Sequence, residues 1–143
     1  FTRAMQVSCH SFAELARLAE PHLAPGASLI TMSYIGAEEA VPNYGIMGPV
    51  KAALESLVRY LALELGKNGV RVHAVSPGPI PTRAASGLQD FASLMQIAQE
   101  KSPLQRLVNL DEIGQLAAFL ASPASSGMTG QTLFVDAGFH AVQ

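Results

Sequence analysis

Residues 70–81 read VRVHAVSPGPIP, and this stretch decides the fold. Its first half, residues 70–75, is a short and mostly apolar run, which predicts a strand buried on both faces of a parallel sheet. Its second half, residues 76–81, holds three prolines, and these lack the amide donor that a helix or a central strand requires. The stretch therefore predicts an ordered loop at the carboxyl end of a buried strand.

Strands and helices alternate on both sides of this stretch. Residues 28–33 and 130–136 are further apolar runs bounded by turn residues, and we predict a strand in each. Apolar residues at helical spacing predict the helices, which cover residues 7–22, 43–65, 88–99 and 110–121. This alternation indicates an α/β fold with a parallel sheet and right-handed crossovers. Ligands bind beyond the carboxyl ends of such strands, which selects residues 33–34, 76–82 and 136–139.

The composition argues against several classes of protein. Of the 143 residues, 49% are hydrophobic and 14% are charged, which is typical of a well-buried α/β protein. The net charge of −2 comes with scattered basic residues, so we expect no nucleic-acid partner. No apolar stretch approaches the ~18 residues of a membrane span, the first residues lack the order of a signal peptide, and the histidines lack metal-ligand spacing. The single cysteine, Cys9, cannot form an internal disulfide, so we expect a packed thiol in a cytoplasmic protein.

Tyr44 and Lys51 are the pair with the clearest chemical potential. They are seven residues apart, which is two helical turns, so we expect both side chains on one face of the predicted helix. A lysine held near a tyrosine lowers the pKa of the phenol, and the pair can then donate a proton or stabilise negative charge on oxygen. Taken alone, this short motif is weak, and a core aromatic beside a solvated lysine is the alternative.

The order of these motifs along the chain is more specific than the pair itself. It resembles the short-chain dehydrogenase/reductase family, from the helix before that family's fifth strand to its C-terminus. Within the family it is similar to the enoyl reductases of bacterial fatty-acid synthesis, which have two tyrosines and a lysine at the spacing of Tyr34, Tyr44 and Lys51. Residues 33–47 and 78–87 resemble that group almost residue for residue. Thr31 stands near the position where alcohol-forming members have a catalytic serine.

The resemblance implies a Rossmann-like doubly wound sheet, of which residues 1–143 would be the C-terminal part of a single domain: three strands with flanking helices, without the first four strands. It also implies NADH-dependent reduction of trans-2-enoyl thioesters on acyl carrier protein, in fatty-acid biosynthesis, by a homotetramer. No Gly-rich loop follows a strand in the first 60 residues, and such a loop binds the pyrophosphate of a dinucleotide. We therefore expect these residues alone to be inactive.

The resemblance also assigns roles to individual residues. Tyr34, Tyr44 and Lys51 would be catalytic: Tyr44 would hydrogen-bond the thioester oxygen, Lys51 would hold the nicotinamide ribose, and Tyr34 would lie near the reacting end of the acyl chain. The residues implied in cofactor binding are Lys51, Pro77, Gly78, Ile80, Thr82 and Ala84. The residues implied in substrate binding are Tyr34, Tyr44, Met47, Ala84 and Phe91.

Several alternatives remain open from the sequence. The protein could be another short-chain reductase that acts on a ketone or an alcohol, or a non-catalytic half-domain that serves in assembly. Pro49 could bend the predicted helix between Tyr44 and Lys51, or be harmless if the helix begins late. For the assembly, we expect residues 54–61 of that helix to form a subunit contact.

Overall fold

A parallel sheet forms the centre of the computed structural model, which describes residues 1–82 and 90–142. In that part of the chain three strands, β1 (Ser28–Met32), β2 (Arg71–Pro77) and β3 (Gln131–Val135), pair in the order β1-β2-β3. The register sets Thr31 opposite Ala74 and Ser76 opposite Phe134. The predicted α/β fold with a parallel sheet is confirmed.

Helices cover both faces of this sheet. A continuous helical segment consists of α1 (Thr2–Met5), a π-helical turn (Gln6–His10), α2 (Ser11–Ala19) and a 3-10 turn (Glu20–His22). The other helices are α3 (Met47–Gly66), α4 (Phe91–Lys101) and α5 (Leu110–Ala121), with short 3-10 turns at Ile35–Ala37, Pro123–Ser125 and Phe139–Val142. The predicted bounds of α5 are confirmed, and the first helical segment begins earlier than its apolar pattern indicated. Residues 88–89 of the predicted fourth helix lie outside the described residues.

The prediction for the start of α3 was wrong. We expected a helix from Asn43, but Asn43 and Gly45 have positive φ angles of 63° and 55°, and such left-handed backbone cannot continue a right-handed helix. Tyr44 therefore lies in a turn before α3. Pro49 then falls in the first turn of the helix, where backbone amides have no intrahelical partner, and it removes no hydrogen bond from the helix. The harmless alternative for Pro49 is confirmed.

Strand β2 also extends beyond its predicted end, through Ser76 to Pro77. The amide of Ser33 donates to the Val75 carbonyl on the β1 side, and the amide of Gly78 donates to Val135 on the β3 side. Backbone groups alternate between these two sides, so Pro77 points toward β1 beyond its last residue. Pro77 has no amide to donate, so the pairing of β2 with the chain after β1 does not continue there.

The helix α3 packs over one face of β2, and α5 packs over the other. Val50, Leu54 and Val58 join Val72 and Ala74 in one apolar cluster, and Cys9 is buried at its margin. Leu54 and Val58 are 1% and 0% exposed, so these two side chains pack inside the chain, and a subunit contact through residues 54–61 remains a prediction for the other residues. Helical periodicity identifies an apolar face but does not show which neighbour covers it.

The carboxyl ends of the strands lie close together, as predicted. A second apolar cluster at this edge contains Ile35, Ala98 and Phe139, with Tyr34 and Phe134 packed against it. A Cβ atom on Gly78 would lie 3.1 Å from the Cα of Asp136. The chain leaving β1 therefore contacts α4 and the segment that follows β3, and this edge is where a site can form.

Asn109 begins helix α5 with a reciprocal cap, and replacing it provides a test of the fold. Its Oδ1 accepts the Glu112 amide at 3.0 Å, while the Glu112 carboxylate accepts the Asn109 amide at 2.9 Å. We expect Asn109→Ala to lower the free energy of unfolding by about 1 kcal/mol, the usual cost of a lost N-cap. Urea denaturation measures this change. Asn68→Ala, at an exposed position after α3, is the control and should change stability by less than about 0.5 kcal/mol.

Two negative findings apply to residues 1–82 and 90–142. Within them, no helix combines the length and the apolar character that crossing a membrane requires. The same residues contain no group of three or more His, Cys, Asp or Glu side chains placed to hold a metal ion.

Candidate active site

Tyr34 and Tyr44 form an aromatic pair at the carboxyl edge of the sheet. Tyr34 lies two residues after the end of β1 in extended backbone, and it immediately precedes the 3-10 turn Ile35–Ala37. The chain then returns through a turn that carries Tyr44. The ring centroids lie 4.9 Å apart with an interplanar angle of 58°, which is a favourable tilted geometry. Two tyrosines that are ten positions apart in the sequence therefore form one surface.

Gly36 allows the ring of Tyr44 to lie against the backbone. A Cβ atom at Gly36 would lie 2.5 Å from Cδ1 and 2.7 Å from Cε1 of Tyr44. A Cβ atom at Gly48 would lie 2.8 Å from the carbonyl oxygen of Gly36. The close approach of these two glycines sets both the position of the ring and the docking of α3 on the 3-10 turn.

Lys51 extends from the second turn of α3 toward the end of β1. Its ammonium donates a hydrogen bond of 2.7 Å to the carbonyl of Met32. Burial lowers the pKa of Lys51, while the charge of Glu55 and a smaller effect of Cys9 oppose this shift. An ammonium has three N–H donors, so the bond to Met32 leaves two for a ligand.

The structure corrects the predicted electrostatics of the pair. Burial raises the pKa of Tyr44 to about 12, with a further contribution from Tyr34, and burial raises the pKa of Tyr34 to about 12. The predicted lowering by Lys51 is wrong for this structure, because burial dominates and raises the pKa of the phenol. Tyr44 and Lys51 also do not share one helix face, because Tyr44 lies in the turn before α3. Both phenols are neutral hydrogen-bond donors near pH 7.

A pocket of about 280 Å³ opens beside the two rings, and apolar side chains line most of it, with Glu39, Asn43, Asp90, Ser93 and Lys101 also in its wall. Its lining includes Tyr34, Ile35, Val41, Tyr44, Leu94, Ile97 and Phe139. Of the residues predicted for an acyl pocket, Tyr34 and Tyr44 lie here. The structure does not place Met47 or Phe91 in this lining: Met47 packs against the cluster between α3 and β2. Ala84 lies outside the described residues.

The proline-rich loop follows β2 along the same edge. Pro77 ends the strand, Gly78 binds the Val135 carbonyl at 2.9 Å, and the Thr82 amide donates to the Ile80 carbonyl at 2.7 Å. Ile80 packs against the apolar cluster beneath α5, so packing is established for Ile80 and a contact with cofactor remains a prediction. Ser76 Oγ and Tyr34 Oη are buried without a hydrogen-bond partner among residues 1–82 and 90–142.

Several residues of the site and its surroundings were not among the residues predicted from the sequence. Leu94 and Ile97 of α4 line the pocket, but an apolar helix position gives no signal that separates a pocket from a core. Glu55 is different, because a carboxylate flanked by the buried Leu54 and Val58 on the apolar side of a helix is unusual. The helical spacing of Leu54, Glu55 and Val58 in the sequence was the signal that could have identified Glu55.

The family comparison agrees with this geometry. Residues 1–140 match the family model described as enoyl-(acyl carrier protein) reductase. The chain belongs to that family. The predicted resemblance is thereby confirmed, while the individual roles of the site residues remain predictions.

Relatives in this enoyl reductase family are similar over nearly the whole chain. The NADH-dependent enoyl-acyl-carrier-protein reductase 1 of Rhizobium meliloti is 46% identical over 142 residues, which is 99% of this chain and 52% of that protein. The crystal structure of the Bacillus cereus enoyl-acyl carrier protein reductase with NADP+ and an indole naphthyridinone has a TM-score of 0.94 at 40% identity, covering 97% of this chain and 54% of that one. The Aquifex aeolicus enzyme also has a TM-score of 0.94, at 39% identity, covering 98% and 55%. The chain thus spans about half the length of these relatives.

Proposed function

We propose that the protein containing this chain reduces trans-2-enoyl thioesters on acyl carrier protein with NADH, in fatty-acid biosynthesis. The observation that carries the proposal is the pairing of Tyr34 and Tyr44 in the wall of a mainly apolar pocket, with the Lys51 ammonium bound to the Met32 carbonyl at the end of β1. The names of the similar proteins support it, since the Rhizobium meliloti relative is an NADH-dependent enoyl-acyl-carrier-protein reductase.

The residues present fit the nicotinamide end of a dinucleotide. Lys51 keeps two N–H donors beyond its bond to Met32, and these suit the hydroxyls of a ribose. The backbone of Pro77 and Gly78, with Ile80 and Thr82 after them, would hold the nicotinamide and the adjoining phosphate along the carboxyl edge of β2. When bound, NADH supplies the hydride that reduces the double bond.

Tyr44 would stabilise the charge that develops on the thioester oxygen. Its phenol is neutral, because burial and Tyr34 raise its pKa to about 12, so it donates a hydrogen bond throughout the physiological range. Such a donor in a partly desolvated pocket interacts more strongly with a developing oxyanion than with the neutral carbonyl. Tyr34 packs against the Tyr44 ring, and the apolar side chains of the pocket would contact the acyl chain.

An activity assay of the complete protein tests the proposal. Loss of NADH absorbance after addition of a crotonyl thioester is the expected result, with no turnover of a panel of ketones and alcohols. Turnover of the ketones with no enoyl reduction would support the alternative short-chain reductase. Tight NADH binding without any turnover would support a non-catalytic role.

Gly36→Ala should reduce turnover more than stability. The backbone at Gly36 suits alanine, but the added Cβ would overlap the Tyr44 ring, so the ring must move. We expect kcat to fall about tenfold or more, because displacement of a reacting group by about 1 Å is costly. The NMR shifts of the Tyr44 ring in the complete protein detect the move. Gly66→Ala, where nothing lies within 4 Å of an added Cβ, is the control and should leave kcat unchanged.

The remaining parts of the proposal concern organisation. We propose that these residues are the C-terminal part of a single Rossmann-type domain, that the thioester is presented by acyl carrier protein, and that the protein is a cytoplasmic homotetramer. Leu63 of α3 is 78% exposed, and this apolar side chain is suited to a subunit contact. Light scattering of the complete protein, with Leu63→Glu as the variant, tests the assembly.

A further inference from the structure

Glu55 is a buried carboxylate that the reaction above does not use. It lies on α3 and is 6% exposed, between the fully packed Leu54 and Val58. Its Oε1 accepts a hydrogen bond from the hydroxyl of Ser33, which is itself 4% exposed. Burying a carboxylate costs free energy unless hydrogen-bond partners satisfy its oxygens. A buried carboxylate at this position therefore indicates a role beyond packing.

The partners of Glu55 lead directly to the candidate site. Three consecutive residues at the end of β1 each contact a different part of it. The Met32 carbonyl binds the Lys51 ammonium, the Ser33 hydroxyl binds Glu55, and the Tyr34 ring packs on Tyr44. The bond between Ser33 and Glu55 therefore joins β1 to α3 between the two contacts that set the positions of the lysine and the tyrosine.

Glu55 also acts on Lys51 through its charge. The two residues are four apart on α3, so their side chains project from neighbouring positions on one helix face. Burial lowers the pKa of Lys51, the Glu55 charge raises it, and Cys9 from the preceding helical segment raises it less. Glu38 and Arg59 are the other charged groups that act on Glu55, in opposite directions.

Hydrogen bonding opposes the effect of burial on Glu55 itself. Burial is the largest effect and raises the pKa of its carboxyl, while hydrogen bonds from Ser33 and Thr132 lower it. Ser33 directly follows β1, so its hydrogen bond supports the carboxyl from the end of that strand. A buried carboxylate with hydrogen-bond partners is held in a defined position, whereas an unpaired buried charge is not.

We propose that Glu55 is a positioning residue, which holds the end of β1 through Ser33, keeps the Met32 carbonyl in place for the Lys51 ammonium, and sets its carboxyl near that ammonium on the same face of α3. The inference rests on the proposed function for its kinetic part only. In the reaction, the charge on Lys51 would hold the ribose, and the fixed end of β1 would keep Tyr34 against Tyr44. Glu55 would thus act on both halves of the site without touching substrate or cofactor.

Glu55→Gln in the complete protein, compared with Glu64→Gln, is the deciding experiment. Glutamine keeps an oxygen acceptor for Ser33 and removes the charge, whereas Glu64 is an exposed carboxylate of the same helix. The measurements are the titration of the Lys51 ε-carbon by NMR and the pH profile of kcat/KM with crotonyl thioester. We expect Glu55→Gln to lower the Lys51 midpoint, and with it the alkaline limb of the profile, by about one pH unit. Glu64→Gln should move neither.

Each outcome decides the inference. A Lys51 midpoint unchanged by Glu55→Gln would overturn the charge role, whether or not the wild-type protein reduces the thioester, and an inactive wild type would overturn only the proposed function. Ser33→Ala tests the structural link independently: we expect kcat to fall about tenfold, with Glu55→Asp partly retaining the Lys51 midpoint. If Glu55→Gln does not fold, a Ser33→Ala kcat equal to that of the wild type overturns the inference.

Discussion

Tyr44→Phe should lower kcat for enoyl reduction by about 100-fold or more while leaving the fold intact. The loss follows from removing a hydrogen-bond donor whose interaction strengthens as charge develops on the substrate oxygen, and such donors contribute about 10²- to 10³-fold. The phenylalanine ring keeps the packing on Tyr34 and over Gly36. Stopped-flow or steady-state measurement of NADH oxidation in the complete protein provides the value.

Tyr60→Phe is the matched control for this substitution. Tyr60 lies on α3 and is 65% exposed, so removing its hydroxyl should leave kcat and stability unchanged. The thermal midpoints of both variants should lie close to that of the wild type. A Tyr44→Phe enzyme with near wild-type kcat would show that another group stabilises the oxyanion.

Lys51→Ala should weaken cofactor binding and turnover together. Hydrogen bonds to charged groups contribute about 1.5–3 kcal/mol, so we expect the Kd for NADH to rise by about ten- to a hundredfold. The bond to the Met32 carbonyl is lost as well, which releases the end of β1. Isothermal titration of the complete protein with NADH measures the affinity, and the same preparation provides kcat.

Lys67→Ala is the control for the lysine substitution, because Lys67 is exposed directly after the end of α3. It should change neither Kd nor kcat. An NADH affinity that Lys51→Ala leaves unchanged would identify Lys51 as a structural residue, whose contact with Met32 supports β1 only. The affinity measurement separates these roles even where both variants lose some stability.

The sequence by itself determined the elements and the family. The apolar runs identified every strand of the described sheet, and apolar residues at helical spacing identified α5 from Leu110 to Ala121. These features depend on neighbours close in the chain, which is why pattern and spacing suffice. The spacing of Tyr34, Tyr44 and Lys51, embedded in the surrounding motifs, was specific enough to identify the enoyl reductases.

The tertiary structure alone decided the geometry and charge of the site. Helical spacing placed Tyr44 and Lys51 on one face, but the left-handed backbone at Asn43 and Gly45 ends that pattern before α3 begins. Tyr44 owes its position to Tyr34 and Gly36, and Lys51 is held by Met32. The pKa of a phenol depends on its burial and on charges that folding brings near it. Such contacts join β1 to α3, which are separate in the sequence, so the local spacing of apolar residues does not predict them.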